Sequence, residues 1–216
     1  MSVTLLAWHV SSSPGGDQGP ELVGPDLDWS AMNQRSDARR NRAGILQAAE
    51  EVFAADSVNV PLQRVAERAG VGRGTLYRHF PDRYALAAAL YQERLERYEE
   101  LVERERADSA ILLTLMEAIA ADQARIPGLF RLIWAEGPGR SYLDPLWQRS
   151  IALLEEPLGI SQRAGVVRQD LTVDDLLMVV GMIFGVVNSP AGQAGPASVE
   201  RALDLVLIGL RPRGGV

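Results

Sequence analysis

Between Val65 and Arg83 the chain reads VAERAGVGRGTLYRHFPDR, a segment whose spacing is met by two short helices joined by a tight turn. Leu62, Val65, Ala66 and Ala69 recur at helical spacing, and Gly70 stands where the helix end needs a residue that tolerates a left-handed backbone. Val71 plugs the turn. A second helix, roughly Arg73 to His79, turns Leu76 and Phe80 inward and leaves Arg73, Thr75, Tyr77, Arg78 and His79 to distribute over an outer surface. Two helices joined by a glycine turn, the second dense in hydrogen-bond donors, fit the arrangement that places a recognition helix in the major groove of DNA.

An amphipathic helix with Ile45, Ala49 and Phe53 precedes this pair. With Val65-Ala66, Gly70-Val71, the run Gly74-Thr75-Leu76-Tyr77-Arg78-His79-Phe80-Pro81 and Arg83, the segment from about Arg35 to Leu86 resembles the DNA-binding domain of the TetR family of bacterial transcriptional regulators. The resemblance implies an all-α protein. A three-helix helix-turn-helix domain spans 35–82 after an N-terminal tail at 1–34, and a larger helical ligand-binding and dimerisation domain spans 83–216. Pro61 and Gly72 stand where the family often has Thr or Ser as helix N-caps, with Asn59 available as a substitute cap. The residues expected at DNA are Arg73, Gly74, Thr75, Tyr77, Arg78, His79 and Arg83. Arg73 and Thr75 are placed for base edges, and Tyr77, Arg78, His79 and Arg83 for phosphate.

The formal net charge of −6 runs against duplex binding, which rests on neutralising phosphates, but its distribution matters more. From Arg35 to Ala85 nine Arg face six acids, while residues 1–34 hold four acids and no Arg. A basic head on an acidic body is therefore expected, and the tail is unsuited to wrapping DNA. All cationic residues are Arg, with no Lys.

Beyond Pro81 a long helix is expected from about Arg83 to Arg106, with Ala87, Tyr91, Leu95, Tyr98 and Val102 on its apolar face and Glu93–Arg97 and Glu100–Arg104 as i,i+4 pairs in solvent. Further helices follow, one carrying Leu112, Leu115, Met116 and Ile119, then two shorter ones near 129–134 and 143–158. An apolar cavity for a small molecule is expected where Met116, Ile119, Phe130, Trp134, Tyr142, Trp147 and Phe184 converge if the helices pack as the resemblance implies. The penultimate helix, Asp174 to about Asn188, is apolar nearly all round, which calls for burial on more than one side. Together with a final helix it suggests a homodimeric four-helix bundle through Leu177, Gly181, Gly185, Leu203, Val206, Leu207 and Leu210.

Catalysis has little to stand on. There is no cysteine, and His9 and His79 are the only histidines, so no His-based triad, thiol nucleophile or His cluster for a metal can be assembled, and no cofactor is expected. The longest apolar run, Leu176 to Val187, is too short for the roughly 20 residues that span a bilayer, and the N-terminus lacks a basic leader. The sequence thus points to a cytoplasmic transcriptional regulator, a repressor whose expected partners are a palindromic operator in double-stranded DNA, a small apolar or amphipathic effector that releases it and a second copy of the chain. The rival reading is a dimeric helical interaction module that does not read DNA.

Overall fold

The computed structural model describes residues 29–56, 58–134, 140–189 and 196–212, and there is no strand among them. The chain divides into two units, Met1–Arg39 and Arg40–Val216. Of the first, residues 29–39 are described, as the opening turns of a helix. The hydrophobic core and both candidate sites belong to the second.

The described helices are α1 (Trp29–Ala55), α2 (Leu62–Arg68), α3 (Arg73–His79), α4 (Arg83–Arg104), α5 (Ile111–Arg125), α6 (Leu129–Trp134), α7 (Arg140–Arg163), α8 (Val173–Val187) and α9 (Pro196–Leu210). Helix α1 begins inside the segment expected as tail. Helix α7 runs to Arg163, past the expected end near Leu158. The remaining bounds agree with the periodicity to within a few residues.

The helix-turn-helix head closes on itself because its apolar residues are spaced for it. Ile45, Ala49 and Phe53 of α1 are buried with Val65 and Ala66 of α2 and Leu76 and Phe80 at α3. Gly70 adopts φ +67°, donates from its amide to the Glu67 carbonyl at 3.2 Å, and lets the Val71 amide reach the Ala66 carbonyl at 3.0 Å. This is the paired end-cap of a helix that stops on a left-handed residue. At the other ends, α2 and α3 start at Pro61 and Gly72, neither of which supplies a side-chain cap. Helix α4 does have a cap: Asp82 Oδ1 accepts the Ala85 amide at 2.8 Å.

Helix α4 packs on α5, α6 and α7, and α5 in turn on α7, α8 and α9. The ion pairs expected along α4 go elsewhere. Arg97 reaches Asp122 of α5 at 3.3 Å, and Arg104 pairs with Glu105 at 2.9 Å. Helix α8 opens with a capping box in which the Thr172 hydroxyl accepts the Asp175 amide at 3.2 Å while the Asp175 carboxylate accepts the Thr172 amide at 2.8 Å. The Thr172 hydroxyl, which donates to Asp175 Oδ2 at 2.7 Å, and the Thr172 amide together hold the Asp175 carboxyl below its usual range.

Candidate functional site

Helix α3 turns one residue, Leu76, fully inward. Arg73, Gly74, Tyr77 and Arg78 are exposed, Tyr77 at 45%, and Thr75 and His79 are half-buried. The expected DNA residues of α3 are therefore brought together on one small surface. The charge count narrows, however, because Arg64 pairs with Asp56 at 3.0 Å and Arg68 with Glu51 at 2.6 Å within the head. Arg42 holds its guanidinium 5.4 Å from the Phe80 ring centroid, a cation–π contact joining α1 to the end of α3. Arg83, expected at phosphate, is half-buried and donates from Nη1 to the Val58 carbonyl at 3.1 Å, which ties the start of α4 to the loop before α2.

His79 carries a buried Nε2 with no hydrogen-bond partner, and burial followed by the positive charges of Arg78 and Arg42 lowers its pKa below the ordinary 6.5. The unfolded chain then binds more protons below that value than the folded one, so stability is retained above about pH 6.5 and declines as pH falls through it. Urea unfolding at pH 7.5 and 5.5 should show a larger acid loss for the wild type than for His79→Gln. Equal losses would mean that the imidazole titrates alike in both states.

A second site lies between α4, α5, α6, α7 and α8, where Tyr91, Leu95, Ile119, Leu129, Phe130 and Phe184 are among the residues enclosing a cavity of about 60 Å³. Of the residues expected there, Ile119, Phe130 and Phe184 line it. Met116 is wholly buried in the core beside it, and Trp147 is half-buried outside the lining. Tyr142 points elsewhere: its hydroxyl donates to Asp82 Oδ2 at 3.2 Å, so α7 holds the residue that caps α4. The side chain of Trp134 lies outside the described residues.

The cavity also has polar walls, of which sequence reasoning expected only Tyr98 on an inward face. Arg94, Asp122, Gln123, Tyr98 and Ser150 all line it. Arg94 Nη1 donates to the Asp122 carbonyl at 3.1 Å, the Tyr98 hydroxyl to Asp122 Oδ2 at 2.8 Å, and Tyr91 and Ser150 share a hydrogen bond of 2.8 Å. Burial and, for Tyr98, the neighbouring Asp122 carboxylate push both phenols above their usual range. One signal was available: Ala87, Tyr91, Arg94 and Tyr98 follow the i, i+4, i+7, i+11 line of a single helix face.

Helices α8 and α9 leave an apolar face uncovered. Met178 is 59% exposed, Met182 52%, Leu205 57% and Ile208 61%. Gly181 and Gly185 are exposed as well, and a Cβ built on either meets nothing within 4 Å. The chain's own final helix therefore does not cover them. The other residues expected at a dimer interface divide: Leu207 and Leu210 are buried inside the subunit, Leu203 and Val206 are half-buried, and Leu177 lines the cavity. An open groove of about 710 Å³ runs between the two helices, past Met178, Gly181, Met182, Leu205 and Gly209.

Among the described residues no three His, Cys, Asp or Glu could hold a metal ion, and no helix is long and apolar enough to cross a membrane.

Comparison with known proteins matches residues 45–90 to the family model "Bacterial regulatory proteins, tetR family" and residues 109–212 to "Transcriptional regulator SbtR-like, C-terminal domain". An HTH-type transcriptional regulator of Staphylococcus aureus (strain USA300) is 40% identical over 63 residues, which is 29% of this chain and 34% of that protein. The chain thus spans about a third of the length of the curated relatives it matches. The crystal structure of a TetR transcription regulatory protein from Mycobacterium vanbaalenii is similar over 83% of this chain and 99% of its own, with 31% identity and a TM-score of 0.60. A TetR transcriptional regulator from Streptomyces coelicolor is similar over 80% and 99%, with 31% identity and a TM-score of 0.58.

Proposed function

The chain belongs to the tetR family of bacterial regulatory proteins, and from that premise we propose that it is a cytoplasmic, homodimeric repressor that binds a palindromic operator and leaves it when a small amphipathic molecule enters the cavity. The observation that carries the reading is the outer surface of α3, where Arg73, Tyr77 and Arg78 are exposed around the single buried Leu76. The exposed stripe of Met178, Met182, Leu205 and Ile208 supports pairing with a second copy, since apolar patches of this kind mark association surfaces.

Linkage sets the mechanism: an effector shifts the equilibrium only by its differential affinity for the two states. At about 60 Å³ the cavity is smaller than the roughly 150 Å³ that admits benzene in a protein core, so any organic effector must favour a wider form of the site. Helix α4 lines the cavity with Tyr91 and Arg94 and starts at Arg83, four residues after α3 ends at His79. Displacement of that helix is a direct route from the cavity to the spacing of two reading heads.

The test is binding of the purified protein to its own promoter region across a salt series, with sedimentation of the free protein. A dimer whose affinity falls steeply with salt supports the reading, and weak, salt-insensitive binding rejects it. Within it, Arg73→Ala should relax specificity at one operator position by about 1–3 kcal/mol, because residues at the start of a recognition helix face the groove floor. Selection from a random library checks this. An unchanged consensus with uniformly weaker binding reassigns Arg73 to phosphate.

A further inference from the structure

Within the cavity, two buried polar atoms have no hydrogen-bond partner: Arg94 Nη2 and Gln123 Oε1. The two residues are 6% and 7% exposed. Buried polar atoms are paired as a rule, so an unpaired donor and an unpaired acceptor on one cavity ask for an added group each.

The kind of group follows from the charges. Asp122 Oδ2 lies 3.9 Å from Arg94 Nε, but the same oxygen accepts from the Tyr98 hydroxyl at 2.8 Å and from Arg97 at 3.3 Å. Two guanidinium groups therefore share one carboxylate, and the closer contact of Arg94 is to a neutral carbonyl. A buried guanidinium in that position is completed by an anion, through a hydrogen bond strengthened by both charges. Gln123 donates its Nε2 to the Val180 carbonyl at 3.5 Å, which leaves Oε1 to receive an N–H or O–H. Leu95, Ile119, Leu129, Phe130, Leu154 and Phe184 supply an apolar remainder.

We propose that the effector is a hydroxylated carboxylic acid with an apolar tail, its carboxylate on Arg94 Nη2 and its hydroxyl on Gln123 Oε1. This rests on reading the cavity as the effector site and adds the chemical class of the ligand. Calorimetric titration of the full chain with 3-hydroxyoctanoate, octanoate, 1-octanol and octylamine tests it. The order of affinity is 3-hydroxyoctanoate, then octanoate, then the alcohol, with the amine weakest. Arg94→Met lowers carboxylate affinity about tenfold or more and erases the preference for acid over alcohol. Gln123→Leu keeps octanoate binding and erases only the gain from the hydroxyl. If Arg94→Met fails to fold, the head-group order on the wild type still decides. Octylamine or octanol binding as tightly as octanoate overturns the proposal, as does a hydroxyl preference that survives Gln123→Leu, or no heat from either acid at millimolar concentration. Operator binding measured on the same protein without any acid keeps the two readings apart: it tests the regulator, and the titration tests the ligand.

Discussion

Gly185→Leu is expected to yield a folded monomer that has lost tight operator binding. The sign of its effect on the isolated subunit makes it diagnostic. Position 185 is exposed, lies within α8, and has open space where a side chain would go. Replacing a helical glycine removes a backbone entropy cost of roughly 0.5–1 kcal/mol, so the subunit itself should lose nothing. A second copy seated on Met182 and Ile208 would instead meet the added side chain, at an overpacking cost of about 1–3 kcal/mol on each side of a two-fold interface. Losing the dimer converts paired binding of two half-sites into single binding, a loss of about 10²–10⁴ in affinity. Sedimentation and operator titration of the wild type and Gly185→Leu check this. Unchanged sedimentation of a dimer would move the interface away from α8, and a wild-type monomer that binds the operator tightly would remove the dimer altogether.

The second large effect is expected from Gly128→Ala. Gly128 has φ +89°, lines the cavity, and would place a Cβ 3.1 Å from Val58 Cγ2. Val58 is 2% exposed, and its carbonyl is the acceptor of Arg83. Left-handed strain costs a residue with a side chain about 1–2 kcal/mol, and a crowded contact with a buried branched neighbour adds to it, for a total of about 2–4 kcal/mol. In a domain of this size each kcal/mol lowers the melting temperature by about 2–4 °C. Gly44→Ala is the matched control, because Gly44 lies in α1 with nothing within 4 Å of its missing Cβ, and it should be neutral or slightly stabilising. Calorimetry on both variants suffices. A Gly128→Ala protein that melts with the wild type would show that Val58 gives way without cost.

The reading head was legible because its structure is written locally. Gly70 and Val71 act on neighbours within a few residues, and Leu76 and Phe80, though they pack against α1, stand at helical spacing that marks them as inward, so spacing alone predicts the turn and the buried face. The cavity was legible only in part. Ile119, Phe130 and Phe184 are apolar and converge as expected, whereas Arg94 and Gln123 look like solvated helix residues until α5 is placed against α4. Their burial is decided by packing between distant segments. Tyr142 and Leu207 show the same limit from the other side: each has the character of a cavity or interface residue, and each is placed by tertiary contacts in a different environment, Tyr142 at Asp82 and Leu207 in the subunit core.

Helix α7 carries Pro145 and Pro157 in its interior. Neither has an amide hydrogen, so the carbonyls of Ser141 and Leu153 receive nothing from the residue four positions on, and the helix ladder is weakened at two places. Ser150, Leu153 and Leu154, the part of α7 that faces the cavity, lie between them. The opposing α4 has no proline or glycine over Arg83–Arg104. On the proposed reading, a molecule entering the cavity would press on one soft wall and one stiff one, and α7 would bow outward first, drawing Tyr142 from the residue that caps α4. Potency and efficacy would then depend on different parts of such an effector. Its polar head would add to how tightly it is held, while its bulk would set how far the helix bends, so a tightly held but slender acid would occupy the protein and leave the operator bound.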